Sequence, residues 1–379
     1  MAALGAVGLG IALQSCAPAH HPLPPLAEPA PAANVDVTLF LIGDAGGPAA
    51  PPRVEPVLAA LQAAVTAARS PTIVFLGDNI YPRGMPDSSS GKRAEAERRL
   101  NASLQVPRAT GARGIFVLGN HDWAGDDGWA AARRAEAYIA AAPDGRSTLL
   151  PGGGCPGPAV VDLGETVRLI ALDTQWWLQG GPKPRDPDSS CPSDSPAEVL
   201  HLLERAGQTA GGRVVVVVGH HPLRTGGPHG GHFGWQAHLF PLRAWKKWLW
   251  LPLPIIGSIY PIARANGISA QDTPSGTNQR MVNGLDSVLA EFRPLVYAAG
   301  HEHALQVIDG GTAARVILVS GGGEYGHTQR VTWLDSTQYA RSASGFMRLE
   351  VLRDKRTRLG VTMVDETGHG TETFALWLQ

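Results

Sequence analysis

Charge is scarce in this sequence, and neither sign prevails. Lys and Arg number 32 and Asp and Glu 33 among 379 residues, a formal net charge of −1. That balance excludes a global electrostatic pull toward nucleic acid or an anionic membrane, and no nucleic-acid partner is expected. Charged residues make up 17% of the chain, against about 25% in an average soluble protein. Cysteine is rarer still, with three residues, and only Cys155 and Cys191 stand outside the N-terminal region. No His lies near either, which argues against a zinc site. Repeats of 20–50 residues are absent, which excludes solenoids and propellers. Gly and Pro are plentiful instead, 46 and 31 residues, yet together they stay below the ~25–30% that marks low complexity. With 44% hydrophobic residues the chain can bury a large core. The composition describes a loop-rich globular protein whose function sits on its loops.

The first residues read as an address. An apolar run over 1–15 with small residues before its end has the length of a signal-peptide core and is too short to span a bilayer. Leu13-Gln14-Ser15-Cys16 resembles a bacterial lipobox, in which Cys16 would be acylated and become the mature first residue. Gln14 and the lack of a preceding Lys or Arg depart from that pattern, and an unlipidated signal is the other reading. Residues 17–34, rich in Ala, Pro and His, form a tether, and 35–379 the folded domain. The expectation is a protein exported in a bacterium, a periplasmic or cell-surface lipoprotein anchored to the membrane through Cys16. Export also favours a disulfide between Cys155 and Cys191, a single pair in loops rich in Gly, Pro and Ser.

A recurring pattern carries the chemistry. Residues 35–42 are apolar and lead into Gly43-Asp44-Ala45-Gly46; 72–76 lead into Gly77-Asp78-Asn79-Ile80-Tyr81; 115–118 lead into Gly119-Asn120-His121-Asp122. Further on, 214–218 precede Gly219-His220-His221-Pro222, 295–299 precede Gly300-His301-Glu302-His303, and 316–320 precede Gly321-Gly322-Gly323-Glu324-Tyr325. Short apolar runs bounded by turn signals read as strands buried on both faces. Helical segments at 54–70, 94–104, 129–142 and 197–210 alternate with them, which argues a layered α/β fold. Sites in such folds form beyond the carboxyl ends of the strands. Each motif alone is a common turn, but the ordered set points to metal binding.

The ordered set resembles the calcineurin-like metallophosphoesterase superfamily, and within it the purple acid phosphatases, over roughly residues 35–330. The resemblance implies an α/β (α+β) fold, a four-layer αββα sandwich of two mixed β-sheets flanked by helices, around a dinuclear metal centre. Most members carry a His two residues after the first Asp. Here Gly46 stands there, and Tyr81, three residues after Asp78, fills the gap in the manner of the purple acid phosphatases. Carried over, one metal takes Asp44, Tyr81, His303 and the bridging Asp78; the other takes Asp78, Asn120, His220 and His301. A phenolate ligand implies Fe(III) at the first site, and the second would hold divalent Fe, Zn or Mn, among which O and N ligands do not choose. The implied activity is hydrolysis of a phosphomonoester by a metal-bound hydroxide. His121 would protonate the leaving group, and His229 is a second candidate to contact substrate, or else a plain loop residue. His221 is expected to support the ligand loops and Asp122 to orient His121. The first five of these motifs, which carry the ligands, leave open a phosphodiesterase on a nucleotide or lipid head group, or a catalytically silent metal-binding surface module.

Two features stand apart from these blocks. Trp176 and Trp177 either wall the pocket or simply pack. Between His229 and Gly300, a stretch read as an insert over about 230–295 holds four of the ten Trp residues at 235–250, interleaved with Lys246 and Lys247. Trp beside Lys is a bilayer-interface pattern. The insert is therefore a membrane-surface contact, a lid, or an apolar hairpin packed on the sandwich.

Overall fold

The computed structural model describes residues 21–48, 54–124, 128–185, 189–244, 246 and 248–378. The signal-like segment with Cys16, and Trp245 and Lys247 of the Trp-rich stretch, lie outside these. Two seven-stranded sheets form the body. In the first, β1 (Val35–Ile42), β2 (Pro71–Leu76), β3 (Arg113–Val117) and β4 (Ser147–Leu149) run parallel. β12 (Gly345–Leu352), β13 (Thr357–Val364) and β14 (Gly370–Leu378) extend it antiparallel from β1. The second sheet has the order β11 (Thr337–Arg341), β9 (Leu305–Asp309), β10 (Val316–Ser320), β8 (Val296–Ala299), β7 (Val214–Val218), β6 (Val167–Ala171), β5 (Ala159–Leu163). Its central strands β6, β7, β8 and β10 are parallel. Both sheets are thus mixed.

Period-two side-chain alternation assembles the layers. Val37, Leu39 and Leu41 of β1 face Leu169, Val216, Val296 and Leu318 of the second sheet in the inter-sheet core. Phe40 and Ile42 point the other way, joining Phe75, Phe116 and the buried faces of α1 (Pro56–Ala67), α2 (Arg93–Thr110) and α3 (Gly128–Ala140). On the far side, Ile170, Val217, Tyr297 and Ile317 pack under α5 (Pro196–Gln208) and α8 (Gly276–Phe292) through Leu203, Leu285 and Leu289. Helices, sheet, sheet and helices make the expected four layers. α5 starts on a capping box in which Ser195 accepts from Glu198 N and the Glu198 side chain returns to the cap, a reciprocal arrangement that satisfies two donors otherwise lacking partners. The short α4 (Thr174–Leu178) follows β6, and α6 (Trp235–Leu239) and α7 (Ile259–Ala265) lie in the Trp-rich stretch.

The structure refines two expectations and meets a third. α2 runs through Pro107 to a left-handed Gly111, beyond the 104 read from sequence. The second half of the stretch read as an insert is α8, an outer-layer helix, so the segment set apart from the cores is 230–268. Cys155 and Cys191 are disulfide-bonded with their Cα atoms 5.5 Å apart, tying the β4–β5 connection to the loop before α5. The bridge spans 36 residues of sequence, and loop-closure entropy for such a span is worth about 3–4 kcal/mol. Replacing both cysteines by Ser is expected to lower the unfolding free energy by about that amount in urea titrations; an unchanged midpoint would show that the two loops are held together without it.

Candidate metal centre

Five parallel strands deliver their carboxyl ends to one edge of the sandwich: β1, β2 and β3 from the first sheet, β7 and β8 from the second. The two sheets nearly touch there. A Cβ on Gly43 would lie 2.8 Å from the Gly300 Cα, so only glycine lets the chains pass. Gly43 N donates to the Ser320 carbonyl at 2.7 Å, and Gly300 N to the His220 carbonyl at 3.0 Å. Asp44, Asp78 and His301 then adopt φ of 61°, 54° and 69°, a left-handed backbone that costs non-glycine residues on the order of 1–3 kcal/mol each. Hydrogen bonds hold this strain. Asp44 Oδ2 accepts from His301 N at 2.8 Å, and Asp78 Oδ1 from His121 N at 2.9 Å.

One cluster gathers around Asp44. Its Oδ1 accepts the Tyr81 hydroxyl at 3.1 Å, and His303 Nε2 lies 3.1 Å from that hydroxyl and 3.5 Å from Asp44 Oδ1. Gly46 and Tyr81 are coupled by space. A Cβ at position 46 would meet the Asp78 carbonyl oxygen at 2.4 Å and the Asn79 and Ile80 backbone at 2.5 Å. No side chain fits there, because the loop that brings Tyr81 in already occupies the volume; Tyr81 N donates to the Gly46 carbonyl at 3.0 Å. Burial, then the carboxylates of Asp44 and Asp78, push the Tyr81 phenol well above its ordinary pKa. Burial opposes a charge on His303, but Asp44, Asp78 and Glu302 outweigh it and raise its pKa.

The second cluster joins three ligand types. His220 Nδ1 donates to the Leu76 carbonyl at 2.8 Å and His301 Nε2 to the Gln271 carbonyl at 3.2 Å. A carbonyl can only accept, so these contacts fix each ring's tautomer and aim the opposite nitrogen inward. His220 Nε2 and His301 Nδ1 both lie 3.0 Å from Asn120 Oδ1 and 3.2 Å from each other. Burial and the surrounding imidazoles hold His301 well below its ordinary pKa. Asp78 stands between the clusters: its Oδ1 is 3.5 Å from His220 Nε2, and ligand atoms of Asp44, Asp78 and His220 lie within 4.8 Å of one another. Burial works to raise the Asp78 pKa, yet His220 and His121 more than offset it and keep the carboxylate below its usual range. Buried carboxylates, a phenol and inward-aimed lone pairs fit a dinuclear metal site.

All seven candidate ligands are therefore brought together. His121 flanks them: Nδ1 donates to the Pro82 carbonyl at 2.8 Å, Nε2 lies 4.0 Å from Asp78 Oδ2, and the ring meets Tyr81 edge-on at 4.7 Å between centroids. The His229 ring lies 3.9 Å from that of His301, and its Nδ1 is 3.1 Å from Asp272 Oδ1. His221 belongs to a tight histidine trio with His220 and His301, but its nitrogens are engaged, by Thr174 Oγ1 at 2.8 Å and Gln271 Oε1 at 2.7 Å. It braces the loop. Asp122 fastens a different part than expected. Its carboxylate accepts from Asn79 N, Ile80 N, Gly119 N and Asn79 Nδ2, holding the loop that carries Asp78, while His121 is oriented by Pro82. Trp176 is buried in the helix-side core and donates to the Pro184 carbonyl, so it packs.

Four contributors escaped the reading from sequence. Thr174 Oγ1 accepts from both His220 N and His221 N; its signal was the Leu172-Asp173-Thr174 strand exit of β6. Glu302, buried between two ligands, accepts from His229 N at 2.7 Å. His327 lies 4.1 Å from His303 between ring centroids, on the glycine-rich loop after β10. Gln271 acts partly through its backbone carbonyl, which no residue type advertises.

No protein-family model matches the chain, and no curated protein matches it. Solved structures do. GAP50, the anchor in the inner membrane complex of Plasmodium, superposes with a TM-score of 0.57 at 13% identity, over 91% of this chain and 89% of that one. A purple acid phosphatase from yellow lupin (Lupinus luteus) seeds gives a TM-score of 0.54 at 11% identity, over 90% of this chain and 53% of that one. This chain thus spans about half the length of the lupin protein. The shared property is the fold, an α/β sandwich like that of purple acid phosphatases. Because position 46 has no room for a side chain, Gly46→Ala is expected to displace Asp78 and weaken metal retention about 10–100-fold, as lost supporting contacts do. Elemental analysis after dialysis would read this, with circular dichroism unchanged; undiminished metal would refute the coupling of Gly46 to the centre.

Proposed function

We propose that this chain is a dinuclear metal-dependent phosphatase acting on phosphomonoesters. The observation that carries the reading is the convergence of Asp44, Asp78, Tyr81, Asn120, His220, His301 and His303 from five strand ends onto one spot. Asp44, Tyr81 and His303 would hold one ion and Asn120, His220 and His301 the other, with Asp78 between them. When bound, such a pair acidifies a water and neutralises charge on phosphate oxygens.

The chain's own residues do the rest. Asp122 and Thr174 hold the ligand loops, so the donors are set before substrate arrives. His121, its Nδ1 committed to Pro82, keeps Nε2 for the leaving alcohol, and its side chain is 38% exposed. His229, whose ring lies tilted against that of His301, is assigned to contact the phosphate from the other side. For the ions we propose Fe(III) beside Tyr81, since a phenolate oxygen is a hard donor suited to a hard trivalent cation, and divalent Fe, Zn or Mn beside Asn120. Export belongs to the same reading. The Cys155–Cys191 disulfide supports an oxidising compartment, with an acyl group on Cys16 as anchor. No helix among the described residues is long and apolar enough to cross a membrane.

One observation favours a second reading: a fold neighbour is an anchor in a membrane complex, and the second reading of this chain is a silent module whose ions merely brace loops. His121 separates the two. His121→Ala is expected to leave metal content intact and cut kcat by ~10²–10⁴, the range for a lost acid–base group, on para-nitrophenyl phosphate. An unchanged rate would remove His121 from the mechanism, and no turnover by the parent enzyme would favour the silent module. Colour tests the ion assignment: the iron-loaded protein should show a visible charge-transfer band that Tyr81→Phe abolishes, and a colourless, active, iron-free enzyme would overturn Fe(III).

A further inference from the structure

Residues 230–271 contain no Asp or Glu, yet Arg243, Lys246, Lys247 and Arg264 fall among them. The same stretch carries ten of the fourteen large apolar side chains that stand exposed among the described residues. Ile255 is 87% exposed, Trp248 70%, and Ile256 and Ile259 65% each. None of the described side chains between 230 and 268 joins any of the three cores. The segment folds on itself instead: Leu253 N donates to the Leu239 carbonyl at 2.8 Å, Gly257 N to the Leu253 carbonyl at 2.7 Å, and the Phe240 and Trp250 rings meet edge-on. So large an apolar surface on a well-formed segment marks a contact site.

Composition selects the occupant. Cores of protein interfaces are depleted in Lys, whereas Trp interleaved with Lys and Arg is the pattern of a bilayer's headgroup region. The cations here lie against the indoles: the Arg243 guanidinium is 3.6 Å from the Trp250 ring centroid, and the Lys246 ammonium 5.9 Å from that of Trp248. With no acidic residue nearby in sequence, the segment's positive charge complements anionic lipid. Pro252 and Pro254 interrupt the apolar run, so it suits lying in the interface and not crossing it. At its far end Arg264 pairs with Asp272, which also holds His229.

We propose that the described residues between 235 and 268 form a docking surface for an anionic lipid bilayer, placing the His229 side of the metal centre beside the headgroups. The proposal stands apart from the phosphatase reading. It is tested on the full chain carrying Cys16→Ser, so that no acyl group contributes, by flotation with vesicles of equal parts phosphatidylglycerol and phosphatidylcholine. The parent should float, with its tryptophan emission shifted to the blue, and should bind pure phosphatidylcholine about tenfold or more weakly. Replacing Trp248, Trp250, Ile255 and Ile256 by Ser should weaken binding at least about tenfold while para-nitrophenyl phosphate hydrolysis is retained. Should that variant misfold, Arg243→Gln with Lys246→Gln and Lys247→Gln should abolish the preference for anionic vesicles. Three results would overturn the proposal: a parent that does not float; equal flotation of the parent and the folded variants, which would assign binding to residues 1–20; or a parent that is dimeric without lipid and made monomeric by the Ser substitutions, which would make a second copy the occupant. Ester hydrolysis absent from every protein would count against the phosphatase reading alone and leave flotation to decide docking.

Discussion

The structure is organised around a demand for positive charge. Asp44 and Asp78 are buried, with carboxylate oxygens within 4.8 Å of one another and of a His220 nitrogen. Two such anions at an effective dielectric near 20 repel by roughly 3–4 kcal/mol. The raised pKa values of His220 and His303, in the face of burial, are the local response to those carboxylates. Protons meet the demand only in part. His301 is held neutral, and its Nδ1, His220 Nε2 and Asn120 Oδ1 point at one another within 3.2 Å. A pair of cations satisfies both features at once, which is why the donor set reads as a metal centre and not as an ordinary buried ion pair.

The fold's least comfortable backbone follows from the same demand. Three donors come from residues at positive φ, a conformation the chain would otherwise avoid. Each of these residues emerges from a strand whose two neighbours and both faces are covered, so the frame is stiff where the loops are strained. The sheets meet through Gly43 and Gly300, and that narrow seam lets Asp44 from one sheet accept a backbone bond from His301 of the other. A wider seam would separate the two halves of the site.

Much of this was legible in sequence because each ligand block is local: an apolar run, a glycine, a donor. Such a block names both its strand and its role within a few residues, and the gap at Gly46 pointed to Tyr81. What was illegible is non-local. The Leu76 and Gln271 carbonyls set histidine tautomers through atoms that every residue possesses. Asp122 looked like a partner for its neighbour His121, but a carboxylate beside four unsatisfied donors in the Asp78 loop and at Gly119 is drawn there. β11 to β14 carry no donor block, so β12 entered as anonymous sequence although it pairs with β1 at the sheet's centre. α8 was absorbed into the Trp-rich stretch because its core face, Met281, Leu285 and Leu289, is spaced for a helix and follows directly on a segment that lacks one.

The way the Trp-rich segment is fastened explains why its apolar side chains face outward. Asp272 is fully buried, and a buried carboxylate is tolerated only when paired and hydrogen-bonded. Arg264 supplies a two-pronged pair and His229 a third contact, while the neighbouring Gln271 binds His221 and His301. These polar contacts fix the end of the segment to the metal centre without recruiting a hydrophobic anchor. Burying Ile255 or Trp248 was therefore never needed to hold the segment in place. The fold could leave that surface free, because Gln271 and Asp272 already tie the segment's end to His221, His229 and His301.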